Sequence, residues 1–542
     1  MTDLEIPFEH DRRGHYRFFE ILPGALSYTM LFMPIILSLI NVTVAVGAIL
    51  GYLLIFFVRS VGYSARSISG YRTMKQHLAL DWLTLLKDVE AGTVTSTSAD
   101  RPKWHINNLA RIAKDGAVFK PHQLTHAVII ATVNESREVL EPTIQSIIDS
   151  DYDSKGIILV LAYEGRAGQE AETRVLELLD LYKSKFKYMA AFKHPAKIPG
   201  ELIGKGGNIS YAGRKLQKYL EKEKIDPRQV VVTTLDADNR PDKRYFGALT
   251  YMYCVAPDPI RASFQPLPMF TNNIWDAPTL MRVVATGNNL YYIVNSQRQH
   301  LARNFSSHAQ SMQALIDMDF WSVRTIVEDG HHFWRSYFCY DGDYRVYPIS
   351  IPIYQDAVLA DGYIKTLKAQ FIQLRRWTYG ASDIAYIASK GFFTANKIPK
   401  YDVTIKFLRT LEGHVGWATG TLLVYFAAFA PSIFHPQSIA ANELPLIVSR
   451  IQQLGIAGLM ISIYVCLVTL PPRPERYKRH RSIFMVTQWI FLPVTSLVYG
   501  SLAAFNSQTR LMFKRYLSKF DVTEKAVINE GGQTISTEAN PK

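Results

Sequence analysis

Three short stretches carry side chains whose types and spacing can do chemistry. The first is Asp236-Ala237-Asp238, which closes a β-branched and apolar run from Val230 to Leu235 and precedes a polar turn, Asn239 to Asp242. A buried strand that ends in two acids delivers them to its C-terminal edge, where open α/β sheets bind ligands. Hard carboxylate oxygens one residue apart suit Mg2+ or Mn2+ carrying a diphosphate. A D-x-D alone is equally well explained by a solvated turn, so its weight comes from its company. The second stretch, Thr325 to Gly330, holds the adjacent acids Glu328 and Asp329. Neighbours on an extended segment point in opposite directions, so one of the pair is expected to face a cleft, where a carboxylate within about 3 Å of a hydroxyl can take its proton. The third is Gln373, Arg376 and Trp377, at i, i+3 and i+4 on one face of an amphipathic helix expected from Tyr363 to Lys390. A guanidinium matches phosphate oxygens and an indole stacks on sugar faces, although an interfacial helix would carry the same residues at a membrane surface.

The elements that must position these residues read as follows. Strands are expected from His126 to Ala131, from Gly156 to Ala162, near Tyr188 to Phe192 and from Val230 to Leu235, with helical patterns between them and a loop at Gly204 to Asn208. That alternation predicts a mostly parallel sheet with helices on both faces. From Ala25 to Val58 the chain is almost uncharged, about 51 Å as a single helix against a hydrocarbon core of about 30 Å, so two spans turning near Asn41 to Thr43 fit better. Further apolar segments run about 415–434, 454–470 and 483–505; Pro493 sits inside the last, and a re-entrant path there keeps the following residues on the cytoplasmic side. Residues 60–121 read as a connector and 526–542 as a polar, disordered tail.

With 542 residues, 48% hydrophobic content and a net charge of +13, the chain mixes soluble and membrane-embedded parts. Much of the positive charge flanks apolar segments and no nucleic-acid-reading motif occurs, which excludes nucleic acid as a partner and favours anionic lipid. Three cysteines, Cys254, Cys339 and Cys466, have neither metal-ligand nor disulfide-framework spacing.

The order D-x-D, then an E-D pair about ninety residues on, then Q-x-x-R-W leading into membrane segments, resembles the processive membrane-bound family 2 glycosyltransferases of the cellulose synthase and hyaluronan synthase type, over residues 122–525. The resemblance implies an α/β GT-A (Rossmann-like) cytoplasmic domain at 122–362 with N- and C-terminal transmembrane helices, the former a hairpin at 24–59 after a cytoplasmic segment at 1–23, the latter at 413–506 after interfacial helices at 363–412. It implies a nucleotide-sugar donor, a divalent metal (Mg2+ or Mn2+) and inversion at the anomeric carbon. Asp329 would act as base, Asp238 would bind metal, Asp236 would lie nearer the nucleoside, Arg376 would face the diphosphate, and Glu328, Gln373 and Trp377 would face the acceptor. Lys205 and Asn208 fall in a segment resembling the family's K-x-G-N loop, and Asn134, Glu135 and Glu164 stand at the strand ends that line the family's donor site. Phe520 to Lys525, within 507–525, resembles its F-x-V-T-x-K gating loop, which would bring Thr523 and Lys525 to the diphosphate. The first strand lacks the family's aromatic before Asn134-Glu135, and the second ends in Glu164 rather than an aspartate pair.

These expectations describe a multi-pass protein of the inner or plasma membrane, a hexosyltransferase moving a sugar from a nucleotide-diphospho-sugar, most readily UDP-linked, to a growing polysaccharide. A single addition to a lipid or lipid phosphate, or a non-catalytic membrane scaffold keeping the fold, are the alternatives. Five or so membrane segments are few for a polymer channel, which calls for a homodimer or an accessory subunit.

Overall fold

The computed structural model describes residues 4–95, 101–518, 526–528 and 534–536. Its first two helices, α1 (Gly14–Ile40) and α2 (Val42–Leu78), meet at Asn41, whose side chain accepts from the Thr43 and Val44 amides and caps α2. Next come α3 (Trp82–Ala91) and α4 (Lys103–Asp115). These are more than a connector: Trp82, Leu85, Leu86, Val89, Leu109 and Ile112 join the main core beside the sheet.

The sheet domain then alternates as the apolar runs require: β1 (Thr125–Thr132), α5 (Arg137–Ile148), β2 (Ile157–Glu164), α6 (Gln169–Tyr182), β3 (Tyr188–His194), α7 (Lys205–Lys222) and β4 (Val230–Asp236). It continues through β5 (Arg240–Pro241), α8 (Tyr245–Val255), β6 (Ala262–Phe270), α9 (Thr279–Asn295), β7 (Ala309–Ser311), α10 (Met312–Asp317), α11 (Glu328–Cys339) and β8 (Arg345–Gln355). The eight strands order as β3-β2-β1-β4-β7-β6-β8-β5. The first four are parallel; β7 is antiparallel to both β4 and β6, so β6 and its parallel neighbour β8 point the same way as β4. Val128, Ile129, Ile130 and Leu159 are fully buried because helices cover both faces, which is why β1 and β2 read as continuous rather than alternating apolar runs.

The remaining helices are α12 (Tyr363–Thr378), α13 (Asp383–Ala388), α14 (Lys400–Phe426), α15 (Phe429–Phe434), α16 (Ile439–Val468), α17 (His480–Thr487), α18 (Leu492–Thr495) and α19 (Ala503–Met512). The expected single helix over 363–390 is thus broken after Thr378 by a 3-10 turn, Tyr379–Ser382. Among the described residues, four helical stretches are long and apolar enough to cross a membrane: α1, α2, α16 and the composite His480–Met512. The expected span at 415–434 instead divides between the end of α14 and the short α15, whose far end returns to α1, where His435 bonds the Ser38 carbonyl. Ser64 and Gly458 bring α2 and α16 together: the Ser64 hydroxyl donates to the Gly458 carbonyl at 3.2 Å, and a Cβ at Gly458 would lie 2.6 Å from it.

The stretch from 480 to 512 is tied to the sheet domain at its start and to α1 at its end. Near its start Arg481 donates to the Trp275 carbonyl at 2.6 Å, and at its end Arg17 donates to the Leu511 carbonyl at 2.6 Å. Pro493 stands in α18, and a π-helical turn, Ser496–Leu502, follows. The tail departs from the disorder expected of it. Ala526–Ile528 pairs antiparallel with Thr534–Ser536 as β9 and β10, and the Ala526 amide donates to the Leu359 carbonyl at 2.9 Å.

The first described residues are tied to the sheet domain. The Glu5 carboxylate meets Arg335 at 3.2 Å and accepts from the Ser322 hydroxyl, while Arg335 also donates to the Leu4 carbonyl at 3.1 Å. Arg324 lies over the Phe8 ring at 3.6 Å. This strap holds the loop that leads into Glu328 and Asp329.

Candidate active site

Strands β1, β2, β4, β6 and β8 end at one edge, and the ends of β1, β2, β4 and β8 bring acids to it. Asp236 is the last residue of β4, in register with Ala131 of β1. The two-residue strand β5 pairs with Ile353 and Tyr354 of β8, which folds the Asp-Ala-Asp turn back against the end of β8. There the Asp356 amide donates to Asp238 Oδ2 at 3.1 Å. Asn272 donates to the Asp238 carbonyl at 3.0 Å and Thr143 to the Ala237 carbonyl at 2.7 Å. In the amide orientation that satisfies its neighbours, Asn239 donates to Asp238 Oδ1 at 3.2 Å and accepts the Asp236 amide at 3.1 Å. The turn is held on every side, and Asp238 is buried.

Lys205 is the first residue of α7, so the segment expected to be a loop is the opening turn of a helix. Gly206 permits this placement, because a Cβ there would lie 2.3 Å from the Ser322 carbonyl oxygen. The Lys205 ammonium stands 2.9 Å from Asp236 Oδ1, 3.2 Å from Asp329 Oδ1 and 3.9 Å from Glu328 Oε1. Burial alone would depress it, but Asp236, Asp329 and Glu328 hold it above its ordinary value.

Glu328 and Asp329 form the first turn of α11 rather than an extended segment, and this corrects the expectation that only one of them faces the cleft: both line it. Burial pushes both carboxyls up, Glu328 further raised by Asp329, and Asp329 held back by Lys205.

These groups line one continuous cavity of about 1400 Å³ that extends from the strand ends to α2 and α14. Glu135, Glu164, Asn208, Gln373, Arg376 and Trp377 line it as well. Asn208 donates to the Ala162 carbonyl at 2.8 Å, clasping the end of β2, and Glu135 accepts from the Thr132 hydroxyl and the Val133 amide, each at 2.7 Å. Glu164 pairs with Arg166. Trp377 packs against Phe270 with ring centroids 5.8 Å apart. Asn134 does not line the cavity, since the tight turn that folds Glu135 back onto Thr132 leaves it outside. Thr523 and Lys525 lie outside the described residues.

Sequence reasoning missed Asp356, Gln355 and Ser306. Gln355 donates to Ser306 Oγ at 2.9 Å, and Ser306 to Asp236 Oδ2 at 3.4 Å. The available signal was an apolar strand ending in Gln355-Asp356, the same grammar as the Asp-Ala-Asp strand. His331 and His332 point inward to Asp383 at 2.8 Å and Gln310 at 2.9 Å. Among the described residues no three His, Cys, Asp or Glu side chains converge on a metal position. Asp238 and Asp356 both line the cavity and are neighbours through the Asp356 amide, and their hard carboxylate oxygens are of the donor type that Mg2+ or Mn2+ takes.

Fold and site together define a mixed α/β domain set on membrane-length helices, with an acid-lined cleft at the C-terminal strand edge. No family model matches the chain, and no curated protein matches it by sequence. Among solved structures, the mannosyltransferase PcManGT from Pyrobaculum calidifontis, in complex with GDP-Man and Mn2+, is similar over 79% of this chain and 98% of that one, at 12% identity and a TM-score of 0.37. S. aureus TarS 1-349 in complex with UDP-GlcNAc is similar over 77% of this chain and 97% of that one, at 11% identity and a TM-score of 0.35.

Proposed function

We propose that the protein is a membrane-integrated, inverting glycosyltransferase of GT-A type that uses a cytoplasmic nucleotide-diphospho-sugar, UDP-linked, and extends a polysaccharide at the inner or plasma membrane. The observation that carries this reading is the placement of Asp236, Asp238, Asp329, Arg376 and Trp377, from three separated stretches of sequence, on one cavity that continues between α2 and α14.

In this reading Asp329 takes the proton of an acceptor hydroxyl as that oxygen attacks the sugar C1, and the C1–O bond to the diphosphate breaks on the opposite face. Inversion follows from a single displacement, with no covalent enzyme intermediate. Lys205 keeps Asp329 more acidic than burial alone would and fixes it relative to Asp236. Arg376 binds the departing diphosphate and Trp377 offers a stacking face to the acceptor ring. Asp238, with Asp356 beside it, would hold Mg2+ or Mn2+, which supplies charge neutralisation of the leaving group.

The test is a panel of nucleotide sugars assayed for metal-dependent release of the nucleoside diphosphate by the purified full chain. Release from one donor, abolished by chelation, is the expected result; no release from any donor would leave a non-catalytic scaffold as the better account. Product length by mass spectrometry separates chain extension from a single addition to a lipid or lipid phosphate.

A further inference from the structure

We infer that the acceptor carries an acidic group, a phosphate or a carboxylate, and that this group seats among the arginines of α2, α14 and the segment after α9; the inference rests on the glycosyltransferase reading. Arg59, Arg66, Arg298, Arg303 and Arg409 all line the same cavity as the acids of the strand edge. Two carboxylates share that half, and Asp383 also acts on Arg303 through space. Glu412 pairs with Arg59, and Asp383 sits 2.8 Å from His331. Among the described residues no carboxylate pairs with Arg66, Arg298, Arg303 or Arg409.

Cations gathered in a partly dry cavity repel one another unless something acidic lies between them. Partial burial, then repulsion from Arg66 and Arg59, lowers the Arg298 guanidinium from its ordinary value, which places the three within electrostatic reach of one another. Arg66 Nε is buried without a hydrogen-bond partner. Arg303 is already shaped for a ligand: one nitrogen donates to Thr410 Oγ1 at 2.8 Å, and the group lies over the Trp334 ring at 4.6 Å. Guanidinium forks match the paired oxygens of carboxylates and phosphates. Tyr291 and Trp417 line this half too, 45% and 39% exposed, and present faces to sugar rings. The donor diphosphate does not account for these arginines, because its cation in the proposed reading, Arg376, stands with the acids Glu328 and Asp329. A neutral acceptor would leave Arg66, Arg298 and Arg409 uncompensated.

The test is binding of labelled probes to the full chain in detergent at low salt, with no turnover required. The probes are a glucuronate oligosaccharide beside a neutral cello-oligosaccharide of equal length, and a short polyprenyl phosphate beside the corresponding polyprenol. One acidic probe should bind at least about tenfold tighter than its neutral partner, the scale expected for one or two charge-assisted hydrogen bonds. That preference should shrink with added salt and be largely lost in the Arg66→Gln/Arg298→Gln double variant, while Arg66→Lys/Arg298→Lys keeps part of it. Preference for the glucuronate oligomer identifies an acidic polymer as acceptor, and preference for the polyprenyl phosphate identifies a lipid phosphate. Equal binding of charged and neutral probes by the unaltered protein overturns the inference, whether or not the variants fold, as does a preference unchanged in a well-folded glutamine variant. Metal-dependent nucleotide-sugar binding, measured on the same preparation, reports separately on the glycosyltransferase reading.

Discussion

The two halves of the cavity handle buried charge in opposite ways. At the strand edge Asp236, Glu328 and Asp329 surround Lys205, and the Asp-Ala-Asp turn is held by the Thr143 hydroxyl, the Asn239 and Asn272 side-chain amides and the Asp356 backbone amide. The side chains of that half are held in place by contacts within the protein. Toward α2 and α14 the cavity collects guanidiniums whose carboxylate neighbours are few and already engaged. Sheet edges supply fixed amide donors that can hold an acid in one geometry, whereas helices present long side chains whose charge is balanced only by a partner. The first arrangement suits chemistry, which needs positioned groups; the second suits capture.

This contrast breaks if changes at the acid half leave turnover intact. Asp329→Asn should have the largest effect, lowering turnover by roughly 10²–10⁴-fold with donor affinity kept, as read from diphosphate release beside nucleotide-sugar binding. Asp238→Asn should instead weaken metal-dependent donor binding by roughly tenfold or more, and chelation of the unaltered protein should do the same until Mg2+ or Mn2+ is restored, followed by calorimetry. Lys205→Met sharpens the comparison through pH. A base must be ionised to act, so activity falls as pH drops through the Asp329 pKa, which burial raises and Lys205 holds back. Without the ammonium the acid limb of kcat/KM should move to higher pH by roughly one unit. Glu328→Gln should have the smallest effect on rate. Its carboxyl is raised in the folded protein, so the unaltered chain loses stability as pH climbs above the ordinary glutamate range, and the glutamine variant should gain in melting temperature over it toward alkaline pH. A constant difference across pH would remove the assigned shift.

Much of this frame was legible in the sequence. The β1, β2 and β4 runs gave themselves away by unbroken burial, and the Asn41 break by a stretch too long for one span. What escaped was local geometry set by distant contacts. Glu328 and Asp329 follow an apolar run that reads as extended, yet they open a helix whose buried face, with Phe333, Trp334 and Tyr337, packs in the tertiary core. The Lys205 segment reads as a glycine-rich loop, and Gly206 instead serves close packing of a helix against Ser322. Asp356 was hidden because Pro348 and Pro352 blur the strand pattern of β8, which ends at Gln355. The arginine half has no motif at all, since Arg59, Arg298 and Arg409 are assembled only by folding.

The strap formed by Leu4, Glu5 and Phe8 also sets an order in time. Glu5 leaves the ribosome 317 residues before Ser322, its hydrogen-bond partner. At about 5–20 residues per second, roughly 15–60 seconds of synthesis separate the two. During that interval α1 and α2 can enter the membrane while the loop before Asp329 does not yet exist. The nascent chain is therefore inserted first and armed later, and chains arrested before residue 320 should leave their first residues open to protease.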